Sequence, residues 1–135
     1  MNRIKDPLLT MLLLVSCPLM AQIKLEIEVA GLRSSQGKIL LELLDSNQKS
    51  ILAKEVSIQN KKCTATIDSL QISKYAVRYF HDENSNNKLD TNWLGMPSEG
   101  YGFSNNAYGN FGPKKFEEWL IDIKGNTKVV LKIKY

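Results

Sequence analysis

The chain has 135 residues, 43% of them hydrophobic and 24% charged, which fits one globular domain and excludes a disordered chain. One His and two Cys exclude a zinc site built from several His or Cys ligands, and a disulfide-dense scaffold. A net charge of +4, scattered along the chain, is too small for a nucleic-acid footprint.

Residues 1–21 read as a leader. Arg3 and Lys5 give a basic start, and Leu8 to Val15 is apolar except for Thr10. That run is too short to span a bilayer as a stable anchor. It predicts a cleaved signal peptide ending at Ala21, with Gln22 as the new terminus and the mature domain over 22–135. The alternative is a lipoprotein signal, because Leu14-Val15-Ser16-Cys17 resembles a lipobox. Only five residues then separate Cys17 from the first strand, a short tether. Cleavage at Ala21 makes the protein exported, periplasmic or secreted, with no membrane span after processing; the alternative is an exported lipoprotein anchored through Cys17. Cleavage leaves only Cys63, predicted to be a small buried thiol.

Ile23, Leu25, Ile27 and Val29 alternate with Lys24, Glu26 and Glu28, the period of a half-buried strand. Ser34 to Gly37 reads as a turn, Lys38 to Leu44 as a second strand, and Asp45-Ser46-Asn47 as its end. Gln48 to Lys54 fits a short helix or an irregular crossing. Glu55–Gln59 and Lys62–Asp68 read as a hairpin turning at Asn60-Lys61. Tyr75 to Phe80 is a strand with Tyr75, Val77 and Tyr79 on one face and Ala76, Arg78 and Phe80 on the other. Phe116 to Ile123 is another, and Gly125-Asn126 turns into a last strand over 127–135. These elements predict an all-β fold: an antiparallel two-sheet sandwich of about seven strands, immunoglobulin-like or transthyretin-like. A closed barrel is the alternative.

From His81 to Pro113 the alternation stops. Five of the eight Gly lie here, with seven Asn. Trp93, Tyr101, Phe103, Tyr108 and Phe111 are too many rings for a solvated linker. The segment is therefore predicted to be one long ordered loop packed over an end of the sandwich.

Within it, Asp82, Asn84, Asn86 and Asp90 fall at relative positions 1, 3, 5 and 9, with the Lys88 carbonyl at 7. This is the spacing of an EF-hand calcium loop. Asn87 stands where Gly is usual and tolerates the left-handed backbone required there. Position 12 is Trp93 and not a bidentate Glu, so a calcium site needs another carboxylate. Glu99 is the nearest later one. The competing reading is an Asn/Asp-rich loop held by side-chain-to-backbone turns without metal.

His81 sits where a strand meets this loop. It is read chiefly as a hydrogen-bonding structural residue, since no catalytic constellation surrounds it. The aromatic and Asn-rich stretch 92–111 could hold the loop down or form a ligand surface from Trp93, Tyr101, Phe103, Ser104, Asn105, Asn106 and Tyr108, with His81.

The run YAVRYFHDENSNNKLDTNWLGMPSEGYGFSNNA (75–107), with FGPKKFEEWLIDI (111–123) and VAGLRSSQGKILLELLDS (29–46), resembles the bacterial DUF2141 family. The family pattern His-Asp-x-Asn-x-Asn-x-x-x-Asp maps onto His81, Asp82, Asn84, Asn86 and Asp90. The following Gly-x-Pro-x-Glu-Gly-x-Gly-Phe-Ser maps onto Gly95, Pro97, Glu99, Gly100, Gly102, Phe103 and Ser104. Asn87 and Ser73 stand where the family often has Gly. The resemblance implies export and a β-sandwich. It implies no reaction.

Three functions follow in order of support. The first is a non-catalytic exported sandwich with a weak calcium loop at 82–90. The second is an envelope or extracellular module that binds a glycan, peptide or protein through 92–111. The least supported is a hydrolase using His81, Asp82 and Glu99.

Overall fold

The computed structural model describes residues 22–135; the expected leader, with the lipidation alternative at Cys17, lies outside them. The described chain is all-β apart from two short 3-10 turns. Its strands are β1 (Ile23–Ala30), β2 (Lys38–Asp45), β3 (Ser50–Ser57), β4 (Cys63–Leu70), β5 (Ser73–Asp82), β6 (Tyr101–Phe103), β7 (Tyr108–Gly109), β8 (Gly112–Pro113), β9 (Ile121–Ile123) and β10 (Thr127–Lys132). Six are long; the four between β5 and β10 have two or three residues each.

The long strands form two sheets. One has the order β10-β1-β4. The other has the order β3-β2-β5-β6, and β9 joins the same edge of β5 further along. Alternation sets which side chains meet between them. Leu25, Ile27 and Val29 of β1 share one core with Ile39, Leu41 and Leu43 of β2, Ala65 and Ile67 of β4, Val77 of β5, and Leu131 of β10. Lys24, Glu26 and Glu28 stay on the wet face, where Lys128 of β10 reaches both glutamates at 3.4 and 3.6 Å.

Four expectations change. β1 and β10 run parallel, with Leu25 opposite Thr127 and Val29 opposite Leu131, so the sandwich is not purely antiparallel. A period of two sets the face of a strand and is blind to its direction. The 48–54 stretch, expected as a short helix or irregular crossing, is mostly strand: β3 runs Ser50–Ser57 along the sheet edge and takes in the start of the strand expected over 55–59. The tight turn at Asn60-Lys61 is present, with φ of 52° and 58° and paired bonds of 2.9 and 3.0 Å between Gln59 and Lys62. It does not join a hairpin, because β3 pairs with β2 and β4 with β1. Residues 116–123 are only partly strand: Phe116–Trp119 is a 3-10 turn and β9 follows it.

The 33-residue irregular region also contributes strand. His81 and Asp82 end β5, and β6 extends the larger sheet through Phe80 opposite Tyr101 and Arg78 opposite Phe103. Gly102 lies between these two rings. A Cβ there would collide with the Tyr79 ring, so only a residue without a side chain lets β6 lie this close.

Candidate functional site

The 82–90 loop leaves the end of β5. Asp82 is fully buried, and its carboxylate accepts the backbone N–H groups of Asn86 at 3.1 Å and Asn87 at 2.9 Å. Those two bonds fold the chain back over the first position of the loop. Ser85 and Asn87 adopt φ of 59° and 62° to make the bend, which Asn tolerates better than most residues. Asn84 Oδ1 accepts the Asn86 N–H at 3.2 Å, and Asn86 Oδ1 accepts the Lys88 N–H at 2.9 Å. Both asparagines also reach Asp90: Asn84 Nδ2 donates at 2.6 Å and Asn86 Nδ2 at 2.8 Å. The side chains of positions 1, 3, 5 and 9 are thus gathered on one side of the loop.

Glu99 takes a different part from the one its sequence position suggests. It is buried, and its two oxygens accept the N–H groups of Glu83 and Asp90, each at 3.0 Å. The carboxylate clamps the two ends of the loop together. Trp93, at the twelfth position, is 91% exposed and takes no part. Asn92 Oδ1 accepts the Leu94 and Met96 N–H groups at 2.9 and 3.1 Å, so Trp93 rides on a separate turn. Among the described residues no three His, Cys, Asp or Glu side chains converge as a metal cluster. A cation held here therefore depends on the asparagine oxygens and the Lys88 carbonyl as much as on Asp82 and Asp90.

His81 points the other way, into the sandwich, with no exposed surface. Its Nε2 lies 2.6 Å from the Gln36 carbonyl oxygen and its Nδ1 2.8 Å from the Tyr135 hydroxyl. A carbonyl only accepts, so Nε2 carries a proton; in the neutral ring Nδ1 then accepts from Tyr135. The same hydroxyl accepts the Arg33 N–H at 3.1 Å, while the Arg33 guanidinium sits 4.5 Å over the Tyr135 ring and donates to Glu83 at 2.7 Å. Both ring nitrogens of His81 are engaged by these partners, and neither bonds to Asp82 or Glu99. The three residues weighed as a hydrolytic set are separately committed.

The residues weighed as a ligand surface also divide. His81 and Ser104 are internal. Ser104 Oγ donates to the Trp119 carbonyl at 2.5 Å and accepts the Val77 N–H at 2.9 Å. Asn105 ties down the Glu118 and Leu120 carbonyls at 3.1 and 2.9 Å, and Asn106 accepts the Lys132 N–H at 2.9 Å. The Tyr108 hydroxyl lies 2.6 Å from the Lys132 carbonyl, which Tyr79 also reaches at 2.5 Å. Burial pushes both phenols above their usual range. These five fasten the loop to the sandwich. Tyr101 and Phe103 of the set line a groove of about 760 Å³ on the outward face of the larger sheet. Phe103 packs on Trp119 with ring centroids 4.3 Å apart and meets Tyr101 edge-on at 5.9 Å.

Sequence reading missed the rest of that groove. Leu40 and Phe80 line it beside Glu42 and Arg78. The available signal was a large apolar residue two positions from a charged one on each of two strands, Leu40 with Glu42 and Phe80 with Arg78.

No helix among the described residues is long and apolar enough to cross a membrane. Comparison with curated proteins and with solved structures finds no match. One family profile does match, over residues 27–130, and its description is an uncharacterized protein conserved in bacteria. That span takes in both sheets and the whole 82–90 loop, and the chain belongs to the DUF2141 family.

Proposed function

We propose that the protein is an exported, non-catalytic β-sandwich whose 82–90 loop binds calcium in the weak extracellular range, roughly 0.1 to 1 mM. The observation that carries this reading is the gathering of Asp82, Asn84, Asn86 and Asp90 around one side of the loop. Without a cation, the two amides satisfy the Asp90 carboxylate. With one, the Asp90 carboxylate turns from the amides to the cation, and each asparagine Oδ1 offers the lone pair left free by the one backbone N–H it accepts. The buried Glu99 clamp holds the loop ends at a set separation, which reduces the ordering cost of binding. The non-catalytic part rests on His81, whose ring nitrogens are both engaged away from solvent.

The test is thermal melting of chelator-stripped protein with calcium or magnesium returned. Calcium at ten times its dissociation constant stabilises by about 1.4 kcal/mol, a rise of about 5 °C for a domain of this size. The rise is expected with calcium, smaller with magnesium, and absent in Asp90→Ala. Equal melting with and without calcium makes the loop an Asx-turn structure and overturns the reading.

A further inference from the structure

The groove on the larger sheet is built by register. Leu40 of β2, Phe80 of β5 and Tyr101 of β6 are successive partners and make one row across three strands. Glu42, Arg78 and Phe103 make the next row. Residues two apart share a face, so both rows point away from the core. Ala53 of β3, opposite Glu42, leaves the second row open at its far end. Leu89, carried by the 82–90 loop, adds an apolar rim. The volume of about 760 Å³ is that of a small-ligand site.

We propose that this groove binds a neutral carbohydrate. A sugar ring has an apolar C–H face that packs on aromatic rings, and an edge of hydroxyls that both donate and accept. The first row offers the apolar wall. The second offers a carboxylate that accepts and a guanidinium that donates. Glu42 and Arg78 are hydrogen-bonded to each other, and Glu55 at the rim is paired with Lys38 at 2.9 Å. The acids of the groove are therefore already paired, and Lys54, which also lines it, turns its ammonium across to the Thr66 carbonyl at 3.0 Å, so a charged ligand meets no counter-ion aimed into the groove. A lipid tail strips water from the Glu42–Arg78 pair and returns no hydrogen bond, which is costly. A peptide strand needs a free sheet edge, but β2 and β5 are paired on both sides. The walls are rigid before any ligand arrives, because Trp119 backs Phe103 and Phe103 abuts Tyr101. Little ordering cost remains to offset binding.

The test is calorimetric titration of the purified protein with maltotriose, cellotriose and chitotriose, with calcium and again with chelator, paired with amide NMR mapping. Saturable binding of at least one trisaccharide in either buffer is expected, with shifts centred on β2, β5 and β6. Phe80→Ala should weaken it about tenfold, the factor for 1.4 kcal/mol. Arg78→Gln, at a side chain 56% exposed, should weaken it without touching the core and serves if Phe80→Ala folds poorly. No saturable binding of any trisaccharide at about 10 mM, weaker than the millimolar class, overturns the proposal. So does binding that Arg78→Gln leaves unchanged, or shifts confined to other surfaces. Binding of a charged sugar or a peptide where the neutral trisaccharides fail also overturns it.

Discussion

Replacing His81 by Leu removes both ring hydrogen bonds while filling much of the same space. In the parent, Nε2 donates to the Gln36 carbonyl at 2.6 Å and Nδ1 accepts from Tyr135 at 2.8 Å, at a side chain with no exposed surface. A typical hydrogen bond contributes about 0.5–1.5 kcal/mol net. Gln36 is exposed and Tyr135 is 41% exposed, so both orphaned groups can recover water. The cost is therefore the net worth of two bonds, about 2 kcal/mol, and not the larger penalty for groups sealed from solvent. His81→Ala adds a cavity and should cost about 2 kcal/mol more. Urea unfolding followed by circular dichroism reads both values; with a slope of about 1.5 kcal/mol per molar, the Leu variant's midpoint should fall by about 1.3 M. A Leu variant within about 0.5 kcal/mol of the parent refutes the reasoning, since surface substitutions alone stay within that margin.

Gly102→Ala should destabilise by about 1–3 kcal/mol, the usual cost of overpacking. Its Cβ meets the Tyr79 ring, whose hydroxyl is tied to Lys132. Amide exchange at Tyr101 and Phe103 should rise before the rest of the sheet, and unchanged protection there contradicts the steric account. Burial pushes the Cys63 thiol up from 9.0 to about 11. The folded state then holds this proton more tightly than the unfolded chain, so its contribution is present below pH 9 and is lost as pH rises from 9 to 11. Urea midpoints across that window should fall less in Cys63→Ala than in the parent, and a thiol reagent at neutral pH should label the parent only as it unfolds.

Strands with one wet and one dry face were legible from residue order alone. β1 is the plainest case, with Leu25, Ile27 and Val29 buried between charged neighbours. β3 was not. Its inward positions are Leu52, Lys54 and Val56 and its outward ones Ile51, Ala53 and Glu55, so neither face is purely apolar and no period survives. Lys54 faces inward yet escapes burial of its charge, because Nζ reaches the Thr66 carbonyl across the open edge of the sandwich at 3.0 Å. An inward lysine on an edge strand also discourages pairing with a second sheet. The loop spacing grouped Asp82, Asn84, Asn86 and Asp90, and hydrogen bonds link them in the fold. The clamp by Glu99 could not be read, since it bonds backbone groups nine and sixteen residues away. The groove was hidden for the same reason: its rows belong to three strands whose register exists only after folding.

β1 is the middle strand of its sheet, flanked by β4 and by β10, and its pairing with β10 joins Leu25 to Thr127. Until β10 emerges, one whole edge of the first strand has no partner. Contacts of such sequence separation close slowly, and several here converge on β10: Leu131 enters the core, and the Lys132 carbonyl receives Tyr79 and Tyr108. A growing chain therefore completes its three-stranded sheet only when β10 pairs with β1. During that interval β1 presents an unpaired edge, the kind of surface on which another strand can pair.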